Sequence, residues 1–246
     1  MSVLATEWLD HVRPIPQVSA RLFCLPHAGG DALQYMHWQP YFLPSIQVCP
    51  IQLPGRGRRM AQRPLRSARS IAEAAHANLG ALLHEPFALF GHSMGALIAY
   101  ELGCVLEDRG IVPEVLIVAA KSAPHLPARR ARGLLPDDEL IRELSVLDGT
   151  PREILADRSS LQFYLPLIRS DFAVVDTYVY DRKSRLTCPI VCFGGCGDPT
   201  TTIECLAAWS VHTAGAFELV MFPGNHFFVR QETAAVCRAI VTRLRR

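Results

Sequence analysis

The chain has 246 residues, of which 50% are hydrophobic and 20% are charged, and its formal net charge is +2. This balance predicts a folded globular protein with one substantial core, and so small a charge argues against nucleic acid as the main partner. The N-terminal stretch MSVLATEWLDHVRPIP carries acids and prolines where a signal peptide has a basic start, and the most apolar runs are too short to cross a bilayer. We therefore expect a single cytoplasmic domain over residues 1–246, with no membrane partner and no need for more than a monomer.

Strand-like and helix-like segments alternate from the start of the chain. ARLFCL (20–25) predicts a strand, followed by a glycine-bearing turn and a helical stretch near residues 31–39 that ends at Pro40. IQVCPIQL (46–53) predicts the next strand, in which Pro50 indicates an irregularity or a sheet edge.

The next helix is predicted from a serine and a glutamate three residues apart. Ser70 and Glu73 have the spacing of a capping box, which predicts a helix that begins there. The apolar residues of its buried face recur at helical intervals and are Ile71, Ala75, Leu79 and Leu82. PFALF (86–90) then predicts a buried strand, and MGALIAYELGCVLEDRG predicts a helix closed by Gly110.

The second half of the chain continues the alternation. Strands are predicted at EVLIVAA (114–120), CPIVCFGG (188–195) and FELVMF (217–222), with helices near 201–209 and from about 231. Regular alternation of this kind predicts the α/β fold class, with a mostly parallel sheet covered by helices on both faces. The carboxyl ends of the strands then share one edge, where sites collect.

Residues 124–180 interrupt this rhythm. They contain helical patterns, such as PDDELIRELSVL, instead of a strand followed by a turn. The segment is either a helical decoration that adds stability or a lid over the active site, because insertions at the functional edge of such sheets commonly shape the substrate pocket. We predict a lid.

The eight cysteines are scattered and lie mostly in apolar segments, so we interpret them as buried thiols. Cys188, Cys192 and Cys196 are evenly spaced along one predicted strand, and four residues of strand span roughly 13 Å. Three thiols spread over that length do not converge on one zinc ion, so no metal site is predicted.

The stretch Gly91-His92-Ser93-Met94-Gly95 lies between a predicted strand and a predicted helix. A Gly-x-Ser-x-Gly match in that context is typical of a nucleophile elbow, where a serine is held in a strained turn at the N-terminus of a helix. Ser93 is therefore the candidate nucleophile, and the alternative is a small residue in a tight turn.

A serine nucleophile needs a base, and the base needs an acid that orients it. His226 follows the last predicted strand and should emerge at the functional edge, unlike His125 in the insertion and His212 before that strand. Asp198 follows PIVCF at the same edge, although an aspartate before a proline is also a common turn residue. Its rivals lie in or near the insertion and are Asp171, Asp176 and Asp181.

Acyl transfer also needs donors for the developing oxyanion. The backbone N–H of Met94, directly after the nucleophile, is the first candidate. The second should come from the loop after an early strand, and CLPHAGGD (24–31) is such a loop, with paired glycines that permit close approach of the backbone.

Six stretches together resemble the type II (editing) thioesterases of nonribosomal peptide and polyketide synthesis. They are LPHAGGD, QLPGRGRR, GHSMGALIAYEL, LPLIRSDFAVVDTY, GGCGDP and GNHFF, and the likeness runs from about residue 20 to 240. This resemblance implies a stand-alone α/β-hydrolase that removes acyl groups from the phosphopantetheine arm of acyl or peptidyl carrier proteins, which are transient partners, and it implies no cofactor or metal.

The resemblance implies the same roles that we inferred from the motifs and their positions: Ser93 as nucleophile, Asp198 as acid and His226 as base. It adds the Ala28 N–H as the second oxyanion donor beside that of Met94, and it implies that residues 124–180 contain a flexible lid. Two other functions remain open. They are a general esterase or acyltransferase with the same triad, and a catalytically silent binding protein.

A run of arginines between the second strand and the next helix has two interpretations. It is either a solvated loop or a patch for an acidic carrier protein or the phosphate of its arm. The run consists of Arg56, Arg58, Arg59, Arg63, Arg66 and Arg69.

Overall fold

A six-stranded parallel sheet forms the centre of the molecule. The structure is a computed structural model that describes residues 6–127, 130–147, 149 and 157–244. The strand order is β2-β1-β3-β4-β5-β6, and every neighbouring pair is parallel. The strands are β1 (Ala20–Leu25), β2 (Ile46–Pro50), β3 (Phe87–His92), β4 (Val115–Ala119), β5 (Ile190–Gly195) and β6 (Phe217–Phe222). All six predicted strands are present, and β2 is an edge strand, as Pro50 indicated.

The inner strands β3, β4 and β5 are buried on both sides because helices cover both faces of the sheet. In β3, Phe87 and Leu89 enter one hydrophobic core while Ala88 and Phe90 enter the other. Successive side chains of a strand point to opposite faces, so a strand buried on both sides has a continuous apolar sequence instead of an alternating one.

Seven α-helices connect and flank the strands in the described part of the chain. They are α1 (Ala68–Leu79), α2 (Met94–Glu107), α3 (Asp137–Leu147), α4 (Arg158–Asp176), α5 (Ile203–Ala207), α6 (Phe228–Gln231) and α7 (Thr233–Leu244). Helices α1 and α2 pack on one face of the sheet, and α7 covers the other. Short 3₁₀ helices lie at Ala32–Tyr35, Gln39–Phe42, Gly57–Arg59, Gly80–Leu82, Arg132–Leu134 and Ala208–His212.

Two local predictions are wrong. Helix α1 begins at Ala68, and its N-cap is Ser67, whose hydroxyl accepts a hydrogen bond from the Ser70 N–H. The capping box at Ser70 is therefore absent, because Ser70 already lies inside the first turn. The helix expected over residues 31–39 is two 3₁₀ helices, and Pro40 lies in the first turn of the second of these, where a missing N–H costs nothing.

The predicted insertion at 124–180 contains the helices α3 and α4. Their apolar side chains form a small separate core, which Ala28 joins from the loop after β1. The members of that core are Leu140, Leu144, Leu165, Ile168 and Phe172. The parts of the insertion at 128–129, 148 and 150–156 lie outside the described residues.

None of the described helices is both long enough and apolar enough to span a bilayer.

Candidate active site

Ser93 stands at the turn between β3 and α2 with a backbone φ of +55°. This conformation is strained for a residue with a side chain, and it projects the hydroxyl away from the sheet. The turn is possible because Gly91 and Gly95 flank it. A Cβ at Gly91 would overlap the Gly95 carbonyl, and a Cβ at Gly95 would overlap the carbonyl of Leu25 at the end of β1. The sequence GHSMG therefore builds a tight elbow and brings the loop after β1 against it.

A chain of hydrogen bonds joins three loops at the carboxyl edge of the sheet. His226 Nε2 lies 3.0 Å from Ser93 Oγ, and His226 Nδ1 lies 2.8 Å from Asp198 Oδ2. Asp198 follows β5 and His226 follows β6, and both residues are buried. This order and spacing suit a serine activated by an imidazole that a carboxylate orients.

The Asp198 carboxylate is held by the residues that follow it. Its Oδ1 accepts hydrogen bonds from the Thr200 N–H at 2.8 Å and the Thr200 hydroxyl at 2.7 Å. Burial opposes the charge of Asp198, but its hydrogen bonds with His226 and Thr200 outweigh that effect and hold its pKa below the usual range. Asp198 is therefore anionic at neutral pH. The same Thr200 oxygen lies 3.0 Å from His226 Nδ1, a contact that sequence analysis did not find.

Two residues that line the cavity beside Ser93 have backbone amides with no acceptor among the described residues. Met94 is the first residue of α2, so its N–H has no carbonyl one turn earlier to bond. Neither the Met94 nor the Ala28 amide donates to another residue within the described ranges. Both residues line the cavity that also contains Ser93 and His226.

Two further histidines surround His226, and sequence analysis assigned them no function. His92 Nε2 donates to the backbone carbonyl of His226 at 2.9 Å, and His27 packs edge-on against both His92 and Phe227. Burial is the main cause that lowers the pKa of His92 well below 6.5 and that of His27 to about 4. Both imidazoles are therefore neutral at pH 7, and they support the His226 loop without adding charge beside it.

The cavity at Ser93 lies between the sheet edge and the insertion. Lys121, which follows β4 in the sequence, lines this cavity. Burial and the nearby charge of Arg132 lower the pKa of this lysine to about 8. The wall can therefore contact polar as well as apolar groups. The insertion contributes Leu126, Pro127, Arg130, Arg132, Leu147, Phe172, Val175 and Asp176 to it.

The rival candidates have other partners. Asp171 binds Arg56 and the Gly29 N–H, and Asp176 accepts from the Gly133 N–H. His125 and His212 bond to each other, with Nδ1 and Nε2 2.6 Å apart.

Cys188 and Cys192 are buried, whereas Cys196 is exposed. Within the described ranges, no three His, Cys, Asp or Glu side chains are grouped as a metal site would require.

A serine at a strand-to-helix elbow, bonded to a histidine and a carboxylate from later strand ends of a parallel sheet, is the arrangement of the α/β-hydrolase class of serine hydrolases. The whole chain also compares closely with known proteins. Residues 20–244 match the thioesterase domain family. The chain belongs to that family, so the predictions of an α/β-hydrolase fold and of a hydrolase are confirmed.

Individual relatives are similar over nearly their full length. The gramicidin S biosynthesis protein GrsT of Aneurinibacillus migulanus is 38% identical over 241 residues, which cover 97% of this chain and 94% of GrsT. The structure of BorB, a type II thioesterase from the borrelidin biosynthetic cluster, is 38% identical with a TM-score of 0.87, and the match covers 96% of this chain and 98% of BorB.

A third relative extends the comparison to a mixed pathway. YbtT, a type II thioesterase from the yersiniabactin NRPS/PKS biosynthetic pathway, is 30% identical with a TM-score of 0.87, and the match covers 94% of this chain and 96% of YbtT. The predicted resemblance to type II thioesterases of nonribosomal peptide and polyketide synthesis is confirmed.

Proposed function

We propose that this chain hydrolyses acyl thioesters carried on the phosphopantetheine arm of carrier proteins, through an acyl intermediate on Ser93. The observation that carries the proposal is the 3.0 Å contact between His226 Nε2 and Ser93 Oγ, with Asp198 on the other ring nitrogen. Similarity to type II thioesterases of biosynthetic pathways supports the choice of a thioester as substrate.

The first half of the reaction forms the acyl-enzyme. Ser93 Oγ attacks the thioester carbonyl carbon as its proton passes to His226 Nε2. The N–H groups of Met94 and Ala28 donate to the oxyanion of the tetrahedral intermediate. When the C–S bond breaks, the phosphopantetheine sulfur leaves with the proton that His226 returns to it. Asp198 keeps the imidazole in orientation and stabilises its charged form.

The second half releases the acyl group. His226 takes a proton from water, the resulting hydroxide attacks the acyl carbonyl, and the same two amides hold the second oxyanion. The C–O bond to Ser93 then breaks, the serine recovers its proton from His226, and the free carboxylic acid departs. The proposal gives no role to a metal or a cofactor, and phosphopantetheine enters only as part of the substrate.

The insertion at 124–180 is the lid of this site in our proposal. Its support is that eight residues of the insertion line the cavity opposite the Ser93 elbow. In the same proposal, residues 1–246 form a single hydrolase domain into which this lid is inserted. The lid would shape the chamber that receives the acyl group.

Carrier proteins are the proposed partners, and the arginine-rich segment offers only part of the predicted patch. Arg56 and Arg59 are buried in internal contacts, Arg58 pairs with Asp10, and Arg69 pairs with Glu73. Arg63 and Arg66 are exposed and form no ion pair with the described residues. These two are the members of the segment that remain for an acidic partner.

Substitution of the serine tests the function. Ser93→Ala should abolish release of acyl groups from an acyl carrier protein, because Ser93 Oγ is the nucleophile that His226 Nε2 contacts, and the protein should remain folded by circular dichroism. Release at the wild-type rate by this variant would overturn the proposal.

The same assay separates the competing functions. Faster hydrolysis of an acyl-pantetheine thioester than of a p-nitrophenyl ester with the same acyl group is expected, and the reverse preference would indicate a general esterase. A fluorophosphonate probe should label the wild-type protein and not Ser93→Ala. Absence of labelling would indicate a catalytically silent binding protein.

A further inference from the structure

We propose that Arg56 and Asp171 position the Ala28 amide for the oxyanion, by fixing the loop after β1 to helix α4 of the insertion. This inference rests on the proposed function. The sequence left Asp171 as an alternative candidate for the acid of the triad. In the structure, its hydrogen-bond partners are Arg56 and the Gly29 N–H.

Asp171 and Arg56 form a buried ion pair with two parallel hydrogen bonds. Arg56 Nη1 donates to Asp171 Oδ2 at 2.8 Å, and Nη2 donates to Oδ1 at 2.6 Å. Their side chains are 2% and 5% exposed. Burial of two charges is costly unless their remaining hydrogen-bonding groups are satisfied. The other hydrogen bonds of this pair therefore indicate which part of the structure it stabilises.

Two of those other contacts go to the loop after β1, and a third, from Arg56 Nε, goes to the Pro54 carbonyl at 3.4 Å. Asp171 Oδ2 accepts from the Gly29 N–H at 2.7 Å, and Arg56 Nη1 donates to the Gly30 carbonyl at 2.9 Å. The ion pair therefore holds a backbone N–H and a backbone carbonyl of adjacent glycines. Gly29 has a φ of +77°, and in this left-handed conformation its N–H donates to Asp171, outside the loop.

Hydrogen bonds hold both peptide units that flank Ala28. The Ala28 carbonyl lies 2.9 Å from His27 Nδ1, and the Gly29 N–H of the same planar unit binds Asp171. In the preceding unit, the His27 carbonyl accepts from the Gly30 N–H at 2.9 Å. The Ala28 N–H of that unit is the group left to face the cavity, so its direction is set by the bonds to its neighbours.

Helix α4 ties this loop to the insertion. Asp171 lies in α4, the next residue, Phe172, lines the cavity, and Ile168 one turn earlier lies against Gly29. The ion pair thus joins the loop with the oxyanion amide to the helix that forms a wall of the acyl chamber. Neither Arg56 nor Asp171 lines the cavity, so both are positioning residues.

The test compares transition-state binding with ground-state binding. Asp171→Asn keeps the size of the side chain and removes the charge that faces Arg56. We expect kcat for an acyl-pantetheine thioester to fall about 10²-fold, as for loss of one oxyanion donor, with KM changed less than about threefold. Affinity for an acyl-pantetheine trifluoromethyl ketone, which forms a tetrahedral oxyanion on Ser93, should fall in parallel with kcat. Affinity for the corresponding non-hydrolysable thioether should not change.

A second variant covers the outcome in which Asp171→Asn folds poorly. The double change Arg56→Met and Asp171→Leu replaces the buried pair by apolar side chains of similar volume, an exchange that is often neutral for stability. It should fold and should still lose kcat and ketone affinity together. Asp108→Asn breaks an ion pair with Arg182 beyond the far end of α2 and should leave both unchanged.

Two results would overturn the inference. One is a folded double variant with wild-type kcat, and the other is a reduced kcat with unchanged affinity for the ketone. Failure of the proposed function is seen separately, as wild-type protein that neither hydrolyses the thioester nor reacts with a fluorophosphonate.

Discussion

His226 is held by hydrogen bonds at three atoms, which come from the elbow after β3 and from the loop after β5. Ser93 contacts Nε2, Asp198 contacts Nδ1, and His92 donates to the backbone carbonyl. Thr200 completes the set because its hydroxyl touches both Asp198 and His226. Because the imidazole is already held in place, it loses little entropy when it reaches the geometry for proton transfer. Removal of even a small group that supports it should therefore lower kcat measurably.

Thr200→Val tests this support at the scale of one hydroxyl group. The change removes a donor to the Asp198 carboxylate and should lower kcat about tenfold, the equivalent of one hydrogen bond, with KM unchanged. Thr200→Ser retains the hydroxyl and should restore most of the activity. Steady-state kinetics on an acyl-pantetheine thioester measure both values. Equal activity of the valine and serine variants would show that the hydroxyl does not contribute.

At the scale of elements, the site depends on how strand ends meet at one edge. Leu25 of β1 is in register with Gly91 of β3, so the loops that follow begin side by side. The Ser93 N–H donates to the carbonyl of Ala119 at the end of β4, which ties the elbow to the next strand as well. The elbow therefore fits only where backbones approach without side chains between them.

Gly91→Ala should damage this junction. The new methyl group would overlap the Gly95 backbone, which belongs to a buried helix and has no room to shift, so we expect a loss of about 3 kcal/mol in the free energy of unfolding. Urea unfolding measures it. Gly80→Ala is the matched control, because nothing lies within 4 Å of its Cβ and the residue is helical, and it should be neutral or stabilising by up to about 1 kcal/mol. Equal midpoints for the two variants would contradict this account.

At the scale of the whole molecule, stability depends on histidines that are buried as neutral groups. His27, His92 and His212 have lowered pKa values, chiefly because burial disfavours the charged form. The pKa of His212 is about 4 in the folded protein, against about 6.5 in an unfolded chain. Between these pH values the unfolded chain binds a proton that the folded chain does not. The free energy of unfolding therefore falls as the pH drops from about 6.5 toward 4.

His212→Gln should reduce this acid sensitivity. At pH 5 the contribution of His212 is about 1 kcal/mol after allowance for solvent screening, so the loss of stability between pH 7.5 and pH 5 should be smaller in the variant by that amount. Urea unfolding at the two pH values measures the difference. His84→Gln, at an exposed position, serves as the control and should behave as the wild type. An unchanged pH dependence in His212→Gln would refute the assignment.

Predictions from the sequence succeeded where the signal was a long apolar run or a motif in its context. The six strands were found because each is a run of mostly apolar residues, even at β6, which is only partly buried. Short helices were predicted less accurately, since the apolar pattern around residues 31–39 suits one α-helix or two 3₁₀ helices equally well. Ser67 and Ser70 are both acceptable N-caps by residue type, and the structure places Ser67 at that position.

The sequence by itself determined the class of the fold, the family, and the candidate nucleophile, acid and base, because each depends on residue type and order along the chain. Only the tertiary structure assigned Asp171, Thr200 and His92 their partners, since these lie up to 142 residues away in the chain. It also divided the arginine run into buried and exposed members. Charge and residue type are local properties, whereas a hydrogen bond or a buried ion pair requires two distant groups to meet, and folding alone decides which groups meet.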